Sequence, residues 1–121
     1  MDPVAESLDL LAARCGDPAP LVYATLFARH PEAAAHFLMD PGGHVRGQML
    51  AVALEALLDG GARLAGLVAI ERLNHVNIGV PEALFDGFLP LLRDVVRDAL
   101  GEAWTPAMEA GWAARIAAVA G

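Results

Sequence analysis

The chain's single tyrosine, Tyr23, opens the stretch YATLFARHPEAAAHF, which ends at Phe37, and His75 follows thirty-eight residues later inside LNHVNIGVPEALF. A tyrosine, a phenylalanine and a histidine on three separate helices can line one apolar pocket. Each then has a distinct chemistry. An inward tyrosine needs a partner for its hydroxyl, either a bound ligand or a carbonyl. A histidine at a helix end either hydrogen-bonds locally or offers a ring nitrogen as a ligand. Phenylalanine packs, against a ligand or in ordinary core. All eight basic residues are arginines. Without lysine there is no Schiff-base chemistry, and an anionic ligand group would be met by Arg, His or backbone donors.

The elements that must position these residues are punctuated by proline. Asp2-Pro3, Asp17-Pro18 and Thr105-Pro106 each pair an N-cap residue with a proline suited to the first helical position. His30-Pro31 and Val80-Pro81 are weaker versions, and Asp40-Pro41-Gly42-Gly43 reads as a loop. Helical periodicity between these marks predicts seven segments. They are about 3–15 (Val4, Leu8, Leu11 and Cys15 on one face), 18–30 (Val22, Leu26, Phe27), a short one from Pro31 to Phe37, and 44–58 (Val45, Met49, Val52, Ala53, Leu57). Then come 62–75 (Leu64, Leu67, Val68, Ile70), 81–99 (Leu84, Phe85, Phe88, Leu91, Leu92, Val95, Val96) and 106–119 (Met108, Trp112, Ile116, Val119). No segment alternates as a strand would, so the fold class is all-α.

A length of 121 residues suits one domain, 1–121. Hydrophobic residues at 56% argue against disorder, yet no apolar run is long enough to span a membrane. The start, MDPVAESLDLL, lacks the basic and apolar regions of a signal peptide. With one cysteine, Cys15, no intrachain disulfide forms, and a cytoplasmic location is expected. A net charge of −7 makes nucleic acid a poor partner.

Taken together, Tyr23, Phe37 and His75 resemble the globin family, and most of all bacterial single-domain haemoglobins and the globin domain of flavohaemoglobins. The likeness runs from about Leu21 to Ala117. Tyr23 and Phe37 are fourteen residues apart, with Phe27 and Pro31-Glu32 between them. His75 is followed by Ile78-Gly79-Val80-Pro81, and LGEAWTPAMEAGW is similar to a globin's last interhelical corner. The resemblance implies a globin-like fold of six to seven helices around a haem b pocket. It implies His75 as the iron ligand and Tyr23, Phe37, Val45, Met49, Val80 and Phe85 as further cofactor-binding residues. Tyr23 would donate a hydrogen bond to dioxygen or another diatomic ligand. A register one residue either way puts Arg46, or His44, in place of Val45, and an inward His44 would ligate iron on the second side. Arg46 or Arg72 is the expected partner of a propionate, while His30 and His36 are expected at the surface or near the haem edge.

The family roles that follow are storage or transport, gas sensing, and nitric oxide dioxygenation. The last needs an external reductase, because a flavohaemoglobin's reductase module has no counterpart in these residues, so an enzyme is the less favoured reading. The carboxylate and tyrosine that polarise the proximal histidine in that group also lack counterparts; Leu84 or Phe85 stands at the tyrosine's position. Glu71, one turn before His75, either faces solvent or accepts the imidazole N–H. The apolar face of the last two helices fits either the core or a second copy in a homodimer. The alternative of another class is a haem-free globin-fold interaction or regulatory module.

Overall fold

The computed structural model describes residues 2–40, 42–59 and 61–120, and for residues 61–63 and 120 the backbone alone. Regular structure among the described residues is entirely helical. The α-helices are α1 Pro3–Cys15, α2 Ala19–Arg29, α3 His44–Asp59, α4 Gly61–Asn77, α5 Glu82–Asp86, α6 Phe88–Leu100 and α7 Pro106–Ala120, with 3₁₀ segments at Pro31–Phe37 and Gly101–Ala103. Among the described residues no helix is long and apolar enough to cross a membrane.

Side chains fix several helix starts by taking amide protons that have no partner in the first turn. The Asp2 carboxylate accepts from the Val4 amide at 3.1 Å, Asp17 from Ala19 at 3.0 Å, and Thr105 Oγ1 from Met108 at 3.1 Å. Asp40 does more, and it is buried. Its two carboxylate oxygens accept from the Val45 and Arg46 amides at 3.1 and 3.0 Å, and the Arg46 guanidinium folds back onto the same residue. That cap sets where α3 begins, and therefore which of its faces turns inward.

The helix expected over 81–99 is broken in two. Pro90 has no amide proton, and its ring would clash with the carbonyl four residues back, that of Asp86. The chain accordingly ends α5 at Asp86, turns at Gly87 and starts α6 at Phe88. Two assignments to inward faces also change. Cys15 is exposed at the end of α1, and Ile70 is 61% exposed on the outer side of α4.

The core lies where α1, α6 and α7 meet. Val4, Leu8 and Leu11 pack with Leu91, Leu92, Val95, Val96 and Leu100, and with Met108 and Trp112. Trp112 is fully buried, so its indole N–H needs an acceptor; it donates to Ser7 Oγ at 2.9 Å, and that hydroxyl donates to the Val4 carbonyl at 2.7 Å. Gly111 allows this approach, since a Cβ there would stand 3.3 Å from a Val4 methyl.

Four aspartates hold the helices together as anions. Burial opposes the charge of Asp2, Asp40 and Asp94. It is outweighed by Arg115 and the Val4 amide at Asp2, by the Arg46 and Val45 amides and the Arg46 charge at Asp40, and by Arg29 and Arg93 at Asp94. At Asp86 the Arg72 hydrogen bond is the largest influence. All four carboxyls sit below their ordinary range. A depressed folded-state pKa contributes stability above the unfolded value, about 3.9, that is lost as pH falls through the folded one. The melting temperature, followed by circular dichroism, should hold from neutrality to about pH 5 and drop below about pH 4. A flat profile down to pH 3 would contradict this account of the four aspartates.

Candidate ligand-binding cavity

Helices α3 and α4 are consecutive and pack against each other. Each carries an inward stripe at helical spacing: Val45, Met49, Val52, Ala53 and Ala56 on α3, and Leu64, Leu67, Val68, Glu71 and His75 on α4. Both stripes line one cavity of about 680 Å³, which α2, the Pro31–Phe37 segment, α5 and the ends of α6 and α7 complete. This volume falls within the range of small-molecule and cofactor sites, roughly 300–1,000 Å³. Ala56 and Leu64 are buried at its inner end, whereas Val45 and Val52 are 53% and 40% exposed. The cavity is therefore closed where Ala56 and Leu64 lie and open along the early turns of α3.

Tyr23, Phe37, Val45, Met49, His75, Val80 and Phe85 all stand on its wall. The register question at the start of α3 has a geometric answer: Val45 lines the cavity, while Arg46 is tied to Asp40 and the exposed His44 lies over Gly42. His36 lines the cavity from its exposed rim. Phe88, Ile116 and Val119 line it too. Nothing in their helical periodicity separates them from ordinary core.

Tyr23 is 3% exposed and held in an aromatic cluster, its ring centroid 5.7 Å from Phe37 in an edge contact and 6.1 Å from Phe88. Its hydroxyl is buried and makes no hydrogen bond among the described residues. Burial pushes its pKa up to about 12, with the Arg46 charge opposing the rise and the Asp40 charge adding to it. The group is therefore a protonated donor with its proton uncommitted.

His75 is placed by the end of α4. Val80 N–H reaches back to the His75 carbonyl at 2.9 Å and Gly79 N–H to Val76 at 3.0 Å. Gly79 takes φ +93°, where a side chain would be strained. This is a Schellman termination, and it puts His75 and Val80 side by side on the wall. The imidazole Nδ1 lies 2.6 Å from the Glu71 carbonyl. That contact assigns the proton to Nδ1 and leaves a lone pair on Nε2. The Glu71 carboxylate is 3.8 Å away, beyond hydrogen-bond reach. Of the two roles open to Glu71, acceptance of the imidazole proton falls to its main chain, which any residue at 71 would supply.

No protein-family model, curated protein or solved structure matches this chain.

What the cavity can do follows from its own groups. It offers apolar walls for a large ligand, the Nε2 lone pair of His75 with a second imidazole, His36, at the rim, and one buried hydroxyl that lacks an acceptor. Among the described residues no three His, Cys, Asp or Glu side chains gather as a metal cage. The expected propionate partners are already engaged: Arg46 with Asp40, and Arg72 with Asp86 and Glu82.

Proposed function

We propose that this chain is a globin-like domain whose cavity takes haem b, with His75 Nε2 as the protein ligand to iron. One observation carries the reading: a single apolar cavity joins an imidazole whose other nitrogen is fixed by a carbonyl to a buried hydroxyl with no partner. A carbonyl on Nδ1 sets the tautomer a metal ligand needs and makes the ring a better donor. One protein donor suits a metal that brings its other ligands with it. Phe37, Val45, Met49, Val80 and Phe85 would hold the ring by apolar contact. When bound, haem supplies an iron centre that takes up dioxygen or another diatomic gas. Tyr23 then offers its proton to a polar ligand, which slows release. Storage, delivery or sensing needs nothing further, whereas nitric oxide dioxygenation would draw electrons from a separate reductase.

Titrating the purified chain with haem tests this. A Soret band that saturates at one haem per chain is expected, with a higher melting temperature for the loaded form. No Soret band after reconstitution would overturn it. The second reading, a haem-free module for another apolar ligand, draws on the engagement of Arg46 and Arg72, which leaves a dianionic cofactor without those two partners.

A further inference from the structure

Helix α5 has five residues, no side-chain N-cap and no buried residue. A helix this short is not stable by itself, because the cost of nucleation is never recovered. Something outside it must hold it, and one guanidinium grips both of its ends. Arg72 donates through Nε and Nη2 to the two Asp86 oxygens, at 2.8 and 3.0 Å, and Nη2 also donates to Glu82 at 3.1 Å. Glu82 is the first residue of α5 and Asp86 the last. A surface ion pair usually contributes little, but a two-point fork fixes direction as well as distance.

Phe85, the residue beside Asp86, puts its ring on the imidazole of His75 with centroids 4.9 Å apart. The His75 ring thus has two restraints, the Glu71 carbonyl at Nδ1 and the Phe85 ring against its side. The first fixes the proton, and the second limits rotation of the ring plane. Arg72 sits three residues before His75 on α4, so the clamp and the imidazole share one helix.

We propose that the Arg72 clamp on Asp86 and Glu82 is a positioning device that, through Phe85, keeps the imidazole of His75 aimed into the cavity. The proposal rests on the reading of His75 as a ligand, but its effect on the ring exists without any ligand. Loss of the clamp frees α5, Phe85 leaves the ring, and the imidazole turns away from the Glu71 carbonyl. Because the pair is half exposed, high salt weakens it in the same direction.

The test uses Arg72→Gln and Asp86→Asn, each compared with the parent chain. In the protein as purified, ¹⁵N NMR of the His75 imidazole should report one Nδ1–H tautomer. Both variants should raise the Nε2–H tautomer several-fold, with no more than the small drop in melting temperature that a half-exposed ion pair contributes. In the haem-loaded ferrous protein, the iron–histidine stretching band should shift or broaden in both. The exchanged pair, Arg72→Asp with Asp86→Arg, should return each readout toward the parent. A merely structural role would lower the melting temperature and leave tautomer and band alone, and that result overturns the proposal. If the tautomer responds but haem never binds, the clamp stands and the haem reading falls. If haem binds and neither readout moves, the clamp falls and the haem reading stands.

Discussion

His75→Ala is expected to abolish the Soret signature of a reconstituted protein while leaving a folded chain. The fold should survive because the side chain is not core. Its side chain is 19% exposed, and the contacts that hold the ring are the Glu71 carbonyl and the tilted Phe85 ring of the exposed helix α5. The Glu71 carbonyl also belongs to the helix's own hydrogen-bond ladder, so losing the imidazole N–H leaves no buried acceptor bare. Destabilisation of about 1 kcal/mol is therefore the expected scale. The ligand-linked term should vanish instead. A ligand present at a hundred times its Kd raises stability by about 2.7 kcal/mol, and a chain that no longer binds gains nothing. Haem titration and melting with and without haem measure both halves. The cavity has a second imidazole at its rim, His36. Retained ligation in His75→Ala, lost again on adding His36→Ala, would move the ligand to His36. Retained binding in the double variant would leave a ring held by apolar contact alone and sink the role given to His75.

Much of the scaffold was legible because local chemistry set it. Asp2-Pro3, Asp17-Pro18 and Thr105-Pro106 mark helix starts, and in each the capping side chain makes a bond within its own turn. Features set by distant partners were harder to read. The segment 81–99 has an unbroken apolar stripe, which hid the break that Pro90 forces one turn earlier. Leu64, Leu67, Val68, Ile70 and Leu73 cover more than one side of α4, so periodicity could not say that Ile70 and Leu73 face out. Val45 is more than half exposed and yet on the cavity wall, a combination that a hydrophobic pattern cannot encode. Its register was undecided because it depends on Asp40, whose carboxylate reaches five and six residues ahead. The Arg72 clamp reaches ten and fourteen residues ahead, across the turn after α4. No window of sequence shows that pairing, and so Arg72 read as a partner for a propionate rather than for Asp86 and Glu82.

Tyr23→Phe is expected to move stability and ligand release in opposite senses. A buried hydroxyl without a partner costs roughly 1–3 kcal/mol, so its removal should leave the ligand-free chain as stable as before or more so. The ring remains, and with it the contacts to Phe27, Phe37 and Phe88. With a polar diatomic ligand present, the same deletion removes the donor, and release should quicken about ten- to hundredfold. Stopped-flow displacement gives the rate, and denaturant unfolding of the ligand-free chain gives the stability. The pH dependence is a further check. With the hydroxyl pKa up at about 12, its proton is present throughout the neutral and mildly alkaline range, so release from the parent chain should not vary with ionisation of Tyr23 there. The folded value lies above the unfolded one, about 10, because burial penalises the phenolate, so ionisation of Tyr23 leaves stability unchanged below pH 10 and lowers it as pH rises toward 12. A Tyr23→Phe chain should lack that alkaline loss. Should the substitution destabilise the ligand-free protein and leave release unchanged, the hydroxyl has an acceptor inside the fold and is no part of the ligand site. The two measurements separate the cases because an orphaned donor and a satisfied one differ in sign, not only in size.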